Sequence, residues 1–307
     1  MEPSLSSWTI NTIDSDLKNF GHPLDLREEV SRIKVLPPLP GIARQIIQLE
    51  ADPLSDAKKL AAIIEMDPVL TAQVIRWASS ALYGYRGEIV SVQEAITRVL
   101  GYDFVMNLAL GLSALSPFKL AKHGKVGSRM LWVQAIAGTR LALTLSELMP
   151  VEERPDRKAL FLVALLHNIG FSLLGHEFPE EFAYLTRIID ANAALSVYNI
   201  ERFAFGVNHT LLGTWLMRSW SMPKPIVDVV YHHHNPHYRG DNYRLNLLVY
   251  LSDCLLGTLG IGDGQNQSYG EEEFAVLQLD SEAAHQKLAE LGASLDDITA
   301  TADQLTR

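Results

Sequence analysis

The 307-residue sequence contains a single cysteine, Cys254. An intrachain disulfide is therefore impossible, and a reducing compartment is expected. Positive charge is also in short supply. Against 36 acidic residues stand 26 basic ones, a formal charge of −10. That balance argues against the broad basic footprint of a nucleic-acid binder and leaves room only for a local patch. Long apolar runs are missing too: Arg, Glu, Asn or Ser interrupts each before the roughly 18 residues that a membrane span needs. The opening "MEPSLSSWTINTIDSDLKNF" has neither the basic start nor the continuous apolar core of a signal peptide. A cytoplasmic protein that touches neither membrane nor nucleic acid is the expectation. Period-two alternation with hairpin turns is lacking, as are internal repeats and low-complexity tracts.

What the chain does have is three-to-four periodicity, and this predicts an all-α fold. Leu17 to Val35 is weakly amphipathic, and Pro37, Pro38 and Pro40 then impose an extended entry to a helix carrying Ile42, Ile46, Ile47 and Leu49. Asp67 followed by Pro68 reads as an N-cap and first helical residue. Ser91 and Glu94 fit a capping box, with Gly101 closing that helix. Longer helices are expected over about 128–148 and 157–174, with Gly170 as a helix-ending residue. Further helices follow over about 180–191, 196–205, 209–219, 224–234 and 245–259. The Gly-rich "GTLGIGDGQNQSYGEEE" reads as a flexible break, with one or two short helices after it. Gly260, Gly262 and Gly264 imitate part of a dinucleotide fingerprint, but no strand precedes them, so they read as loop. Cys254 reads as a packing residue, Trp132, Trp215 and Trp220 as core, and Glu271 to Glu273 as a solvated loop or helix start. The polar stretch "SPFKLAKHGKVG" suggests a division into two lobes near 117–127.

Chemistry-bearing residues cluster in the second half. His167 and Asn168 follow the apolar "LFLVALL", and His209 sits at an expected helix start in "GVNHTLLG". His232, His233 and His234 are consecutive, so at most one or two of them can face inward together. Asp253 lies inside the apolar "LLVYLSDCLLG", where a carboxylate must be paired, hydrated or coordinated. Taken singly, His167 reads as a satisfied core or cleft histidine and Asp253 as a buried acceptor.

The order "LLHNIG", "NHTLLGTWLMRSWSMP", "HHHNP" and then an isolated Asp resembles the HD superfamily of metal-dependent phosphohydrolases. It more closely resembles the non-catalytic branch, the HDOD (HD-related output) domain of bacterial signalling proteins. "LPPLPGIARQIIQLEADP", "LAAIIEMDPVLTAQVIRWASSALYG" and "IVSVQEAITRVLGYDFVMNLAL" look like its N-terminal lobe, although Ser79 stands where asparagine is usual. The resemblance spans about residues 33–258, with lobes at about 33–117 and 127–258, an N-terminal extension over 1–32 and C-terminal helices over 259–307.

The same resemblance locates a degenerate site of Gln134, His167, Asn168, His209, His233, His234 and Asp253. Gln134 matches the first metal-ligand histidine and Asn168 the aspartate of the His-Asp pair. Two ligands are thus neutral amides, which compensate little for the dehydration of a divalent ion and do not activate a bound water. No catalysis, no cofactor and no metal are therefore expected. Were a metal to bind, His167, His209, His233 and Asp253, with His234 near, would suit Zn²⁺ or Ni²⁺. The family implies an output role through protein contact, with separate receiver, kinase or cyclic-dinucleotide proteins as partners, since about 30 residues ahead of the domain are too few for a receiver. The alternatives are a nucleotide or phosphate sensor using the old pocket, and a divergent phosphohydrolase.

Overall fold

The computed structural model describes residues 36–192 and 194–306, so the helix expected over Leu17 to Val35 and the extension over 1–32 lie outside the described residues. Among those described, every regular element is helical. After the extended prolines come α1 (Gly41–Glu50), α2 (Ala57–Ile64) and α3 (Pro68–Ala78). Asp67 caps α3 by accepting from the backbone N–H groups of Val69 and Leu70, and Pro68 occupies the first turn, where no intrahelical N–H is needed. α4 (Val92–Glu94) runs on into a π-helical stretch, Ala95–Leu100, whose wide turn ends with the Gly101 N–H on the Ile96 carbonyl. The capping box is half formed. Ser91 accepts from the Glu94 N–H, but the Glu94 carboxylate takes the N–H of Val90 instead of Ser91.

The second half is a bundle built around α6 (Ser128–Leu148) and α7 (Arg157–Leu166). It continues through α8 (Ile169–Glu177), α9 (Pro179–Ala191), α10 (Val197–Phe205), α11 (His209–Ser219), α12 (Lys224–His232) and α13 (Tyr243–Thr258). α5 (Tyr102–Leu115) joins the halves, packing on α1 and α3 on one side and on α7 on the other. Residues 116–127 between α5 and α6 are non-helical, and one continuous apolar core runs from Leu39 to Ala302.

Four expectations change. The helix expected over 157–174 is two helices, broken at His167 and Asn168, because both polar side chains turn inward there and the backbone leaves the helical ladder to let them do so. Gly170 ends nothing. It is the second residue of α8, and a Cβ there would lie 1.8 Å from the His209 carbonyl oxygen, so its value is the close approach of α8 to α11. The Gly-rich break is ordered, with Ile261, Gly262, Asp263 and Gly264 all buried. Three helices follow it rather than one or two: α14 (Glu271–Leu277), α15 (Ser281–Gly292) and α16 (Leu295–Leu305). They pack back on α6 and α13, and α16 also reaches α3. Arg129 pairs with Asp303 at 2.7 Å, and Arg76 donates to the Gln304 carbonyl.

The apolar segment Arg157–Glu177 is long enough to cross a membrane by length and composition, but its side chains are mostly buried within the bundle. Cys254 is buried, its thiol donates to Gln267, and burial pushes it up to about 12. Trp220 is core and donates to the Pro37 carbonyl, whereas Trp132 and Trp215 are partly buried against the core.

Candidate functional site

Each site residue named from the sequence is delivered by a helix end or an inward face. Asn208 caps α11 by accepting from the Leu211 N–H, which sets His209 at the first helical position. Phe171 of α8 stacks on its ring at 4.0 Å. At the end of α12 the chain leaves the helix and two of three consecutive histidines, His233 and His234, turn inward. His232 stacks on Tyr238 instead. Gln134 projects from the middle of α6 and Asp253 from the middle of α13.

Two groups result. In the first, His167 Nδ1 faces the Ala164 carbonyl at 3.0 Å, and Nε2 lies 3.2 Å from Asp253 Oδ2. Burial alone would lower the His167 ring, but the Asp253 carboxylate outweighs it and raises the ring to about 9. Gln134 Nε2 donates to Asp253 Oδ1 at 3.1 Å and to Asp263 Oδ1 at 2.7 Å, and Asn168 Nδ2 donates to the same Asp263 oxygen at 3.1 Å. Carboxylates only accept, so both amides must turn their NH₂ groups toward them. Their carbonyl oxygens, Gln134 Oε1 and Asn168 Oδ1, are left without hydrogen-bond partners among the described residues.

In the second group three imidazoles converge. His209 Nε2 lies 3.1 Å from His233 Nε2 and 3.0 Å from His234 Nε2. Asp263 Oδ2 sits 3.1 Å from His234 Nε2 and 3.5 Å from His209 Nε2, yet accepts no well-aligned hydrogen bond. The far nitrogens are engaged: His209 Nδ1 with Glu201 Oε2 at 2.5 Å, His233 Nδ1 with the Val230 carbonyl at 3.0 Å, and His234 Nδ1 with the Gln267 side chain. Burial disfavours charge on His233, and the neighbouring imidazoles add to it, so this ring is held well below its ordinary value. For Asp263 burial acts upward, but His234 and the other two rings hold its carboxyl well below the usual carboxylate range. Burial pushes the Glu201 carboxyl up, against the pull of His209.

The histidines and acids named from sequence thus lie in one contiguous polar core, but they divide differently from the expected ligand set. His167 and Asp253 pair with each other and lie within reach of Asp263, whereas His209 and His233 group with His234 and that same Asp263. Two buried acids were not anticipated. Asp263 is delivered by the turn Gly262–Asp263–Gly264. Gly262 has φ +78°, and a Cβ there would fall 2.3 Å from the Gln134 side chain, so a bulkier turn could not enter the bundle. Glu201 shares the buried face of α10 with Val197, Ile200 and Ala204. A carboxylate on the apolar stripe of a helix was the signal available for it.

The HDOD domain profile matches residues 36–236 of this chain. The fold is similar to a crystal structure from Marinobacter aquaeolei VT8, named as a candidate signal transduction protein. The two are 31% identical with a TM-score of 0.82, over 97% of this chain and 69% of that one. An HDOD domain protein from Geobacter sulfurreducens is 23% identical with a TM-score of 0.73, over 91% and 96%. A candidate phosphohydrolase from Shewanella amazonensis SB2B, 19% identical with a TM-score of 0.66 over 89% and 97%, shares the fold. An uncharacterised protein from Treponema pallidum (strain Nichols) is 24% identical over 213 residues, 69% of this chain and 40% of its own length. The chain therefore spans two fifths of that curated relative. With a profile match over most of its length and a helical architecture shared with its structural relatives, the chain belongs to the HDOD domain family.

Proposed function

We propose that this chain is a non-enzymatic signal-transduction output protein that acts in the cytoplasm by contact with other proteins, separate receiver, kinase or cyclic-dinucleotide proteins among them. The observation that carries the non-catalytic part is the pair of amides. At positions 134 and 168, where the HD superfamily places metal ligands, Gln134 and Asn168 offer NH₂ groups, and these are already committed to Asp253 and Asp263. Donors aimed at the carboxylates repel a cation there instead of coordinating it. With both amides so placed, this half does not fit a superfamily-type metal, even though His167, Asp253 and Asp263 lie close together.

The adjoining pocket, between α5, α6, α7 and α8, is lined by Leu115, Phe118, Leu131, Trp132 and Leu165 beside Gln134 and His167. Among its described lining residues there is no lysine or arginine, which favours contact with apolar groups over a phosphate-sensing role. Leu54, Met66, Val69 and Val90 stand exposed around the ends of α2, α3 and α4, and apolar surface of this kind suits a partner protein.

The test is turnover. With Mg²⁺, Mn²⁺ or Ni²⁺, purified protein is expected to leave bis(p-nitrophenyl) phosphate and cyclic dinucleotides unhydrolysed above background. Hydrolysis that disappears in His167→Ala would overturn the reading.

A further inference from the structure

We propose that His209, His233, His234 and Asp263 form a site for one late first-row divalent cation of the zinc class, which fastens the segment after α13 into the bundle. Its three histidines belong to the set that the superfamily resemblance locates, but its carboxylate does not, and His167 and Asp253 take no part in it. Its carboxylate comes from residue 263, beyond the matched residues 36–236, and takes the place of a charge that Asn168 does not supply.

Geometry comes first. Ligands about 2.1 Å from one ion and 90–109° apart lie about 3.0–3.4 Å from one another. The Nε2 separations of 3.0 and 3.1 Å, and the Asp263 oxygen at 3.1 and 3.5 Å, match that spacing. Tautomers agree. The Val230 carbonyl can only accept, and Glu201 holds the other side of His209, so the protons of His233 and His209 belong on Nδ1. That leaves the Nε2 lone pairs of His209 and His233 pointing at one another at 3.1 Å, an arrangement that is repulsive unless a cation or a proton lies between them. Rings anchored through Nδ1 to a carboxylate or carbonyl are also how proteins orient imidazole ligands.

Charge gives the third reason. Asp253, Asp263 and Glu201 are all buried, and among the described residues their ion-pair partners are all imidazoles. Asp263 Oδ2 in particular is buried and lacks an aligned donor. Three imidazoles and one carboxylate select zinc, nickel or cobalt and disfavour Mg²⁺ and Ca²⁺, which demand oxygen. An approach exists from the surface pocket where His234 lines the wall with Tyr198 and Arg202.

The consequence is mechanical. Asp263 opens the segment that carries α14, α15 and α16 back over α6 and α3, so the ion ties the start of that segment to α11 and α12. It does so without turnover, so this proposal and the non-catalytic reading stand or fall separately.

The test is a calorimetric titration of Zn²⁺ into the chelator-stripped full chain, with bound metal counted by elemental analysis. One equivalent is expected, with no comparable uptake of Mg²⁺. Asp263→Ala is expected to weaken Zn²⁺ binding at least a hundredfold, and Glu201→Gln, which loosens only the orientation of His209, about tenfold. Hydrogen exchange over residues 259–270 should slow on Zn²⁺ addition in the parent and not in Asp263→Ala. If Asp263→Ala does not fold, Asp263→Asn and His234→Ala carry the same expectation. Absence of stoichiometric Zn²⁺ binding would overturn the proposal and leave protons as what joins the rings. So would an affinity unchanged by Asp263→Ala or Asp263→Asn.

Discussion

Gly170→Ala is expected to destabilise the protein by about 4 kcal/mol, above the roughly 1–3 kcal/mol that overpacking usually costs, because the obstacle is backbone. A chain of this size loses about 2 °C of Tm per kcal/mol, so a fall of about 8 °C should be seen. The new methyl would lie 1.8, 2.6 and 2.8 Å from the oxygen, carbonyl carbon and Cα of His209, all backbone atoms that no rotamer change can move. Relief requires α8 and α11 to separate, and α11 carries His209, so Zn²⁺ binding should weaken in the same variant. Gly138→Ala is the internal control. Its Cβ would meet only Leu256 Cδ1, at an ordinary 3.7 Å in mid-α6, so the gain in helix propensity should leave stability unchanged or up by as much as ~1 kcal/mol. Thermal melts of both variants check the argument. A Gly170→Ala protein within 1 °C of the parent would mean that the two helices do not approach as described.

Restoring the amides to ligand types should have the second large effect. In metal-free protein Asn168→Asp is expected to cost about 3 kcal/mol, because it replaces a donor to Asp263 by a second partly buried carboxylate in hydrogen-bond range of it. Gln134→His removes the one side chain that bridges Asp253 and Asp263. Together, however, the substitutions present an imidazole and a carboxylate to the cleft beside His167 and Asp253. The double variant should therefore take up one more equivalent of Zn²⁺ or Mn²⁺ than the parent, and added metal should recover more Tm in it than in either single variant. The effects should be non-additive because the two residues share one partner. Equal metal uptake in all four proteins would show that positions 134 and 168 do not face a common cleft.

Much of this architecture is legible in the amino-acid sequence. A helix start marked by Asp67-Pro68 announces itself because capping is a local, one-turn interaction that composition reveals. The break at His167 was not legible, since an unbroken apolar period runs straight through it, and only the tertiary demand for inward polar groups opens the ladder. Asp263 was hidden for the opposite reason. It lies in a Gly-rich segment with no period at all, and glycines that read as flexibility turned out to be close approaches to Gln134 and the Asp253 backbone. Glu201 could have been found: spacing of 197, 200, 201 and 204 puts a carboxylate on the apolar face of α10, where it needs a partner.

The family assignment and the pocket chemistry meet in one claim, that cation-binding capacity lies with His209, His233, His234 and Asp263 and not between His167 and Asp253. Anomalous diffraction from crystals of the full chain grown with Zn²⁺, collected on both sides of the zinc edge, tests this most directly. The account predicts a single peak bounded by the three Nε2 atoms and Asp263 Oδ2, with Gln134 and Asn168 still bonded to the aspartates. A peak lying instead between His167, Asn168 and Asp253 would contradict it.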